Sequence, residues 1–222
     1  MLPAPIASLL LWSALWTLLF EGVTLAFRFG LRIQMRTRAG RFARLTFGMR
    51  VHHGFTGLLL LGVAPWLGSA LAPHAAAIAL GLVLSDALHH FAVLYPLTGD
   101  HEFHVVADAR PPARVLDELA TLSDAGVWAY GLFHGLLLEC ATVYCRFGLG
   151  WQSRRELAVV WDSLGGLRIH HGYIGLVGLL AALSVRDRRA KVALRVVGTA
   201  LVSSDLAHHF LVLWPLTGDA GI

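Results

Sequence analysis

Apolar residues run on in this chain for lengths that fit neither a half-buried strand nor the one-sided helix of a soluble domain. Predominantly apolar runs cover roughly 5–30, 52–72, 75–97, 125–149, 169–185 and 192–215. Each approaches the ~20 residues that carry an α-helix across the hydrocarbon core of a bilayer. The pattern therefore predicts an all-α, polytopic membrane helix bundle with six transmembrane helices. The first run continues through Trp12, Trp16 and Phe20 to Phe29 with no basic segment before it, and so reads as a retained helix rather than a cleaved leader.

The polar positions that interrupt these runs occur twice. Arg50-Val-His-His-Gly-Phe returns as Arg168-Ile-His-His-Gly-Tyr, and Ser85-Asp-Ala-Leu-His-His-Phe as Ser204-Asp-Leu-Ala-His-His-Phe. Glu21 followed by Arg28-Phe-Gly-Leu corresponds to Glu139 followed by Arg146-Phe-Gly-Leu, and Pro-Leu-Thr-Gly-Asp closes the copies at 96–100 and 215–219. The offset is 118 residues at the first His pair and 119 at the second, a difference of one residue. The apolar filler has drifted between the copies, so the polar and helix-breaking residues are what the duplicated unit kept.

The organisation read from this is a first three-helix repeat over 1–100, a polar connecting loop over 101–123 and a second three-helix repeat over 124–222. The segment 98–123 around it carries Asp100, His101, Glu102, His104, Asp108, Arg110, Pro111-Pro112, Arg114, Asp117 and Glu118, too many charges for a crossing. With an odd number of spans per copy, the second repeat is predicted to lie upside down relative to the first, an inverted 3+3 topology.

Composition agrees: 56% of residues are hydrophobic and 14% charged, with a mean hydropathy of +0.64, more apolar surface than a soluble domain of this length could hide. The lipid bilayer is thus an expected partner. The formal charge of +4 comes from arginines concentrated in 31–50, 98–123 and 186–195, while the opposite loops hold Arg154, Arg155 and Arg168. That asymmetry places both termini on the non-cytoplasmic side of a bacterial-type inner membrane, and points to no nucleic-acid partner. Cys140 and Cys145 are five apart on one predicted helix, which fits neither a CxxC site nor a disulfide.

The retained residues carry the candidate chemistry. Asp86, His89 and His90 fall at i, i+3 and i+4 on the third helix, one face of it. His52 and His53 open the antiparallel second helix, level with the end of the third, and Glu21 lies near the same level on the first. One unit can therefore gather Glu21, His52, His53, Asp86, His89 and His90, and the other Glu139, His170, His171, Asp205, His208 and His209. Ionisable groups at membrane depth are costly, face the bundle interior and mark sites. Imidazoles and carboxylates converging from three helices suit a transition metal, iron or zinc ahead of copper. Arg28, Arg50, Arg146 and Arg168 nearby would bind the carboxylate or phosphate of an anionic substrate, or else neutralise Glu21 and Glu139. Gly54, Gly57, Gly172 and Gly175 read as close-approach positions. Ser85 and Ser204 would bond backbone or orient a ligand, and the Pro-Leu-Thr-Gly-Asp segments read as helix terminators. His74, His101, His104 and His134 have no counterpart in the other copy and read as solvated or incidental.

His52-His53-Gly-Phe-Thr56 resembles the paired-His-x-x-Thr element of ceramide-synthase-like membrane proteins, which also use two three-helix halves; the second copy has Ile174 where that element has Thr. The Asp-x-x-His-His block resembles the His-x-x-His-His boxes of membrane-bound desaturases and hydroxylases, with Asp in place of the first His. Each resemblance covers one short motif. The function expected is a membrane-embedded metalloenzyme, an oxidoreductase or hydrolase acting on a lipid-soluble or anionic amphiphilic small molecule. Three alternatives stand beside it: an inverted-repeat secondary transporter for a metal ion or proton-coupled substrate, a haem-binding electron-transfer subunit with histidines as axial ligands, and a purely structural polar network.

Overall fold

The computed structural model describes residues 4–32, 46, 48–106, 115–152, 156, 158–163 and 169–221. The chain divides into two compact units, Met1–Gly126 and Val127–Ile222. The described residues are helical or loop; one isolated antiparallel bridge, Met49 with Val106, is the only extended pairing among them.

In the first unit, α1 (Ala4–Leu25) runs on into a π-helical stretch, Ala26–Gly30. Then comes α2 (His53–Val63), tightened at its end into a 3-10 turn over Ala64–Trp66. Gly68, at φ +74°, supplies the left-handed residue that reverses the chain into α3 (Gly68–Ala87). α3 continues through a π-helical stretch, Leu88–Leu94, to a last turn, Tyr95–Thr98, and stops at Gly99 with φ +73°. The Pro-Leu-Thr-Gly-Asp segment is thus a helix terminator with a left-handed glycine. A short helix, α4 (Val115–Leu119), follows.

The second unit is built from α5 (Asp124–Val143, then a π-helical Tyr144–Gly148), α6 (Ala158–Ser163), α7 (His171–Ser184) and α8 (Arg188–Leu206). α8 also carries a π-helical stretch, Ala207–Leu213, a final turn Trp214–Thr217 and a left-handed glycine, Gly218 at φ +72°.

Among the described residues, four helices are long and apolar enough to cross a membrane: Pro5–Gly30, Gly68–Thr98, Asp124–Gly148 and Arg188–Thr217. Their apolar side chains face outward to match, as with Leu11 and Leu18 of α1 at 61% and 66% exposed. The predicted runs at 52–72 and 169–185 form shorter helices. α7 has 14 residues, about 21 Å of helix against a hydrocarbon core of about 30 Å. α2 is cut short by Pro65 and the Gly68 reversal, and α7 by the extended Val185 and by Asp187, whose carboxylate caps α8 by accepting the Ala190 N–H at 2.8 Å.

Short second helices set the depth of everything that follows. Running back along α3 from a tight turn, α2 begins level with Asp86, well before the end of α3 at Thr98. Glycines allow the two backbones to meet there. A Cβ at Gly54 would lie 3.0 Å from Asp86 Oδ2, and one at Gly57 only 2.5 Å from the Ala79 carbonyl oxygen. α7 meets α8 the same way, through Gly172 against Asp205 and Gly175 against the Gly198 carbonyl. The long helices also touch through glycine, but on opposite partners: Gly81 of α3 faces Trp16 and Thr17 of α1, whereas Gly131 and Gly135 of α5 face Thr199 and Ala200 of α8. Ser13 and Thr17, buried in α1, return their hydroxyls to the Leu9 and Ser13 carbonyls at 2.7 and 2.8 Å, so no polar group there is left open.

Candidate metal centre

His52 is the extended residue before α2, at φ −96° and ψ 150°, and His53 is the first residue of the helix. Asp86 lies in the last α-helical turn of α3, and His89 and His90 in the π-helical stretch that follows. As neighbours on one helix the two imidazoles point to different sides: His89 meets Glu21 of α1, while His90 stays near Asp86.

Asp86 Oδ1 is the focus. It lies 3.7 Å from His52 Nδ1, 3.7 Å from His90 Nε2 and 3.1 Å from His53 Nδ1. His52, Asp86 and His90 are all buried, and one donor atom from each lies within 4.8 Å of the other two. A tetrahedral ion with bonds of ~2.0 Å holds its donors about 3.3 Å apart, so this set needs only a small contraction.

The far nitrogens of both rings are already engaged. His52 Nε2 donates to the His104 carbonyl at 3.0 Å, and His90 Nδ1 to the His101 carbonyl at 2.7 Å. Those bonds assign the tautomers, leaving His52 Nδ1 and His90 Nε2 as lone pairs turned toward Asp86 Oδ1. Asp86 Oδ1 is itself buried with no hydrogen-bond partner. A proton or a metal ion placed between them could satisfy all three.

The second unit gathers the equivalent three residues but differs in its hydrogen bonding. Asp205 Oδ1 lies 3.7 Å from His170 Nδ1, 3.7 Å from His209 Nε2 and 3.4 Å from His171 Nδ1, again buried and without a hydrogen-bond partner. His209 Nδ1 donates to the Ala220 carbonyl, as His90 does to that of His101. With its Nδ1 proton committed to Ala220, His209 Nε2 accepts from His170 Nδ1 at 3.0 Å, so the His170 tautomer is the reverse of that of His52. This group is less enclosed, with the His170 and Asp205 side chains 16% and 15% exposed.

The six residues predicted for each unit therefore divide. His52, Asp86 and His90 form one three-donor group and His170, Asp205 and His209 the other. Glu21 and His89 make a separate buried pair, Nδ1 donating to Oε1 at 2.9 Å, and Glu139 with His208 does the same at 2.9 Å. The Ser204 hydroxyl donates to Glu139 Oε2 at 3.4 Å, while the buried Ser85 hydroxyl has no partner. His53 and His171 sit at the edge, their side chains 35% and 34% exposed.

Of the four arginines, Arg28 forms a bidentate pair with Glu102 at 2.6 and 3.0 Å rather than neutralising Glu21. Burial raises the Glu102 carboxyl pKa, but the bonds and charge of Arg28 outweigh it and hold the group below the usual carboxylate range. Arg50 contributes its backbone N–H to the Val105 carbonyl at 2.9 Å. Arg146 lies over the Phe147 ring, and Arg168 lies outside the described residues.

His104 and Glu118 were missed by the sequence reading. His104 was set aside for want of a counterpart in the other copy, yet it is 1% exposed and donates from Nδ1 to Glu118 Oε1 at 2.6 Å. His101 also serves, through its carbonyl, and His134 is tied to the Tyr130 carbonyl at 2.9 Å. Cys140 and Cys145 are free thiols.

Fold and site together define a helical protein with membrane-length apolar helices and two His/Asp groups suited to a metal ion. No family model, curated protein or solved structure matches the chain.

Proposed function

We propose that the protein is a membrane-embedded metalloenzyme holding one transition-metal ion per unit, at His52, Asp86 and His90 and at His170, Asp205 and His209. The observation that carries this is the buried, unbonded Oδ1 of Asp86, faced by two imidazole nitrogens whose far sides donate to backbone carbonyls; at Asp205 the unbonded Oδ1 and the His209 bond to a carbonyl recur. Two histidines and one carboxylate with coordination positions left over is the donor set of non-haem iron enzymes, so iron leads and zinc follows. His53 or His171 is near enough to add a donor, and the Glu21–His89 and Glu139–His208 pairs stand beside the sites as buried acid–imidazole couples.

A lipid-soluble or anionic amphiphilic substrate fits helices that leave their apolar faces outward. The transporter alternative is weaker, because Gly68–Thr98 and Arg188–Thr217 pass the sites as continuous helices and not as broken ones. Haem is weaker too: Asp86 Oδ1, 3.7 Å from both imidazoles, stands where a porphyrin would need an open slot. The reading keeps the inverted 3+3 repeat with non-cytoplasmic termini. Its α2 and α7 crossings would require a locally thinned bilayer, and labelling of single cysteines placed in 31–50 and 186–195 tests it.

Elemental analysis with an optical spectrum decides the metal. Detergent-purified wild type should carry about one Fe or Zn per site without a Soret band, and His90→Ala and His209→Ala should each lose one site's share. Absence of metal from the wild type would overturn the proposal.

A further inference from the structure

The segment read as a connecting loop closes over the first site. Two of its carbonyls, those of His101 and His104, take the outer N–H groups of His90 and His52. Phe103 stacks on the His52 ring at 4.3 Å between centroids, 23° from parallel. The segment is pinned at three points: Arg28 grips Glu102, the Arg50 N–H bonds the Val105 carbonyl, and Glu118 holds the turn at 104–106. The Glu118 carboxylate accepts from His104 Nδ1 at 2.6 Å through Oε1, and from the Val105 and Val106 N–H groups at 2.8 and 3.3 Å through Oε2. It is 3% exposed, and a buried carboxylate with three donors is a rigid anchor.

We infer that Glu118 is a positioning residue for the first metal centre: by fixing the 104–106 turn it aims the His104 carbonyl at His52 Nε2, and so sets the nitrogen that His52 turns toward Asp86. The inference rests on the metal-binding reading above. In the second unit, His209 keeps its carbonyl acceptor at Ala220, but among the described residues His170 Nε2 has no acceptor of this kind. Outer partners that orient metal-bound imidazoles are worth about 10–100-fold in metal affinity.

Cobalt(II) tests this on the full chain in detergent, stripped of metal, with its d–d bands read optically and affinity measured against a competing chelator. His209→Ala leaves the first site to be measured alone, and His90→Ala the second. Glu118→Gln, added to each background, keeps the side-chain length but removes the charge and one acceptor oxygen. In the His209→Ala background it should weaken cobalt binding by about 10–100-fold, speed release and shift the d–d bands, with the site still saturating at one equivalent. In the His90→Ala background it should change nothing. An unchanged affinity and release rate at the first site would overturn the inference, as would equal loss in both backgrounds, or a first site that no longer saturates, since Glu118 would then serve the fold and not the imidazole. If wild type binds no cobalt, the metal-binding reading itself fails.

Discussion

His89 Nδ1 donates to Glu21 Oε1 at 2.9 Å, and both residues are buried. The bond joins α3 to α1, while the neighbouring His90 turns to Asp86, so two adjacent residues serve helix association and the His/Asp group separately. Glu21→Ala removes the acceptor and leaves a buried imidazole N–H without one, a loss of about 1.5–3 kcal/mol for a bond with a charged partner. Glu21→Gln keeps an acceptor and should lose less. A thermal or denaturant unfolding series with His89→Ala as the second edge of a double-mutant cycle reads the coupling. Additive losses would show that the pair does not act as a unit.

Helix contact through glycine yields a second prediction. A Cβ at Gly57 would meet the Ala79 carbonyl oxygen at 2.5 Å, and backbone cannot swing aside as a side chain can. Gly57→Ala should therefore destabilise the first unit by about 1–3 kcal/mol, the usual range for overpacking. Gly22→Ala, in α1 with nothing within 4 Å of the new atom, should leave the unfolding midpoint unchanged or raise it slightly. Equal responses in the two variants would mean that α2 and α3 are not in backbone contact.

The sequence made the helices and the ligand types readable because each leaves a local signature: apolar length for the helices, the i, i+4 spacing of Asp86 and His90 for a shared face. The depth of the site was not readable, since it depends on where α2 stops, and that was decided by Pro65 and the left-handed Gly68 within a run that hydropathy alone extends to residue 72. Nor was the split between the His/Asp group and the acid–imidazole pair, because the spacing puts Asp86, His89 and His90 near one face and does not say which imidazole the first helix meets. His104 and Glu118 were invisible for another reason: their bond joins a loop to a five-residue helix across unpatterned sequence.

The Arg28–Glu102 pair should be visible in the pH dependence of stability. Burial works against the Glu102 carboxylate, while Arg28 and, at longer range, Arg50 favour it, with Asp100 opposing; the folded pKa ends below the ordinary value. A depressed folded pKa contributes stability that is fully present above the unfolded value and is lost as pH falls through the folded one. Wild type should thus keep this contribution at neutral pH and lose it below about pH 4. Glu102→Gln should lower the neutral-pH midpoint, by an amount on the order of 1 kcal/mol for a partly exposed pair, and flatten the acid limb. An acid limb identical in variant and wild type would rule the pair out as a source of pH dependence.

Removing the metal separates a binding site from a structural polar network, because the two predict opposite signs for the same substitution. A ligand that binds only the folded state adds about 2.7 kcal/mol at a hundred times its Kd, so chelation should lower the wild-type unfolding midpoint. Without metal, Asp86 Oδ1 and Asp205 Oδ1 are buried acceptors with no hydrogen-bond partner, each beside an imidazole lone pair, that of His90 or His209. Asp86→Asn combined with Asp205→Asn replaces each charge with a neutral amide that can donate, and removal of an uncompensated buried charge is neutral or stabilising. The double variant should therefore be insensitive to chelator and at least as stable as metal-free wild type. If both carboxylates instead held together a hydrogen-bonded network, the double variant would fall below metal-free wild type by about 2 kcal/mol or more, and the sites would be scaffolding rather than metal centres.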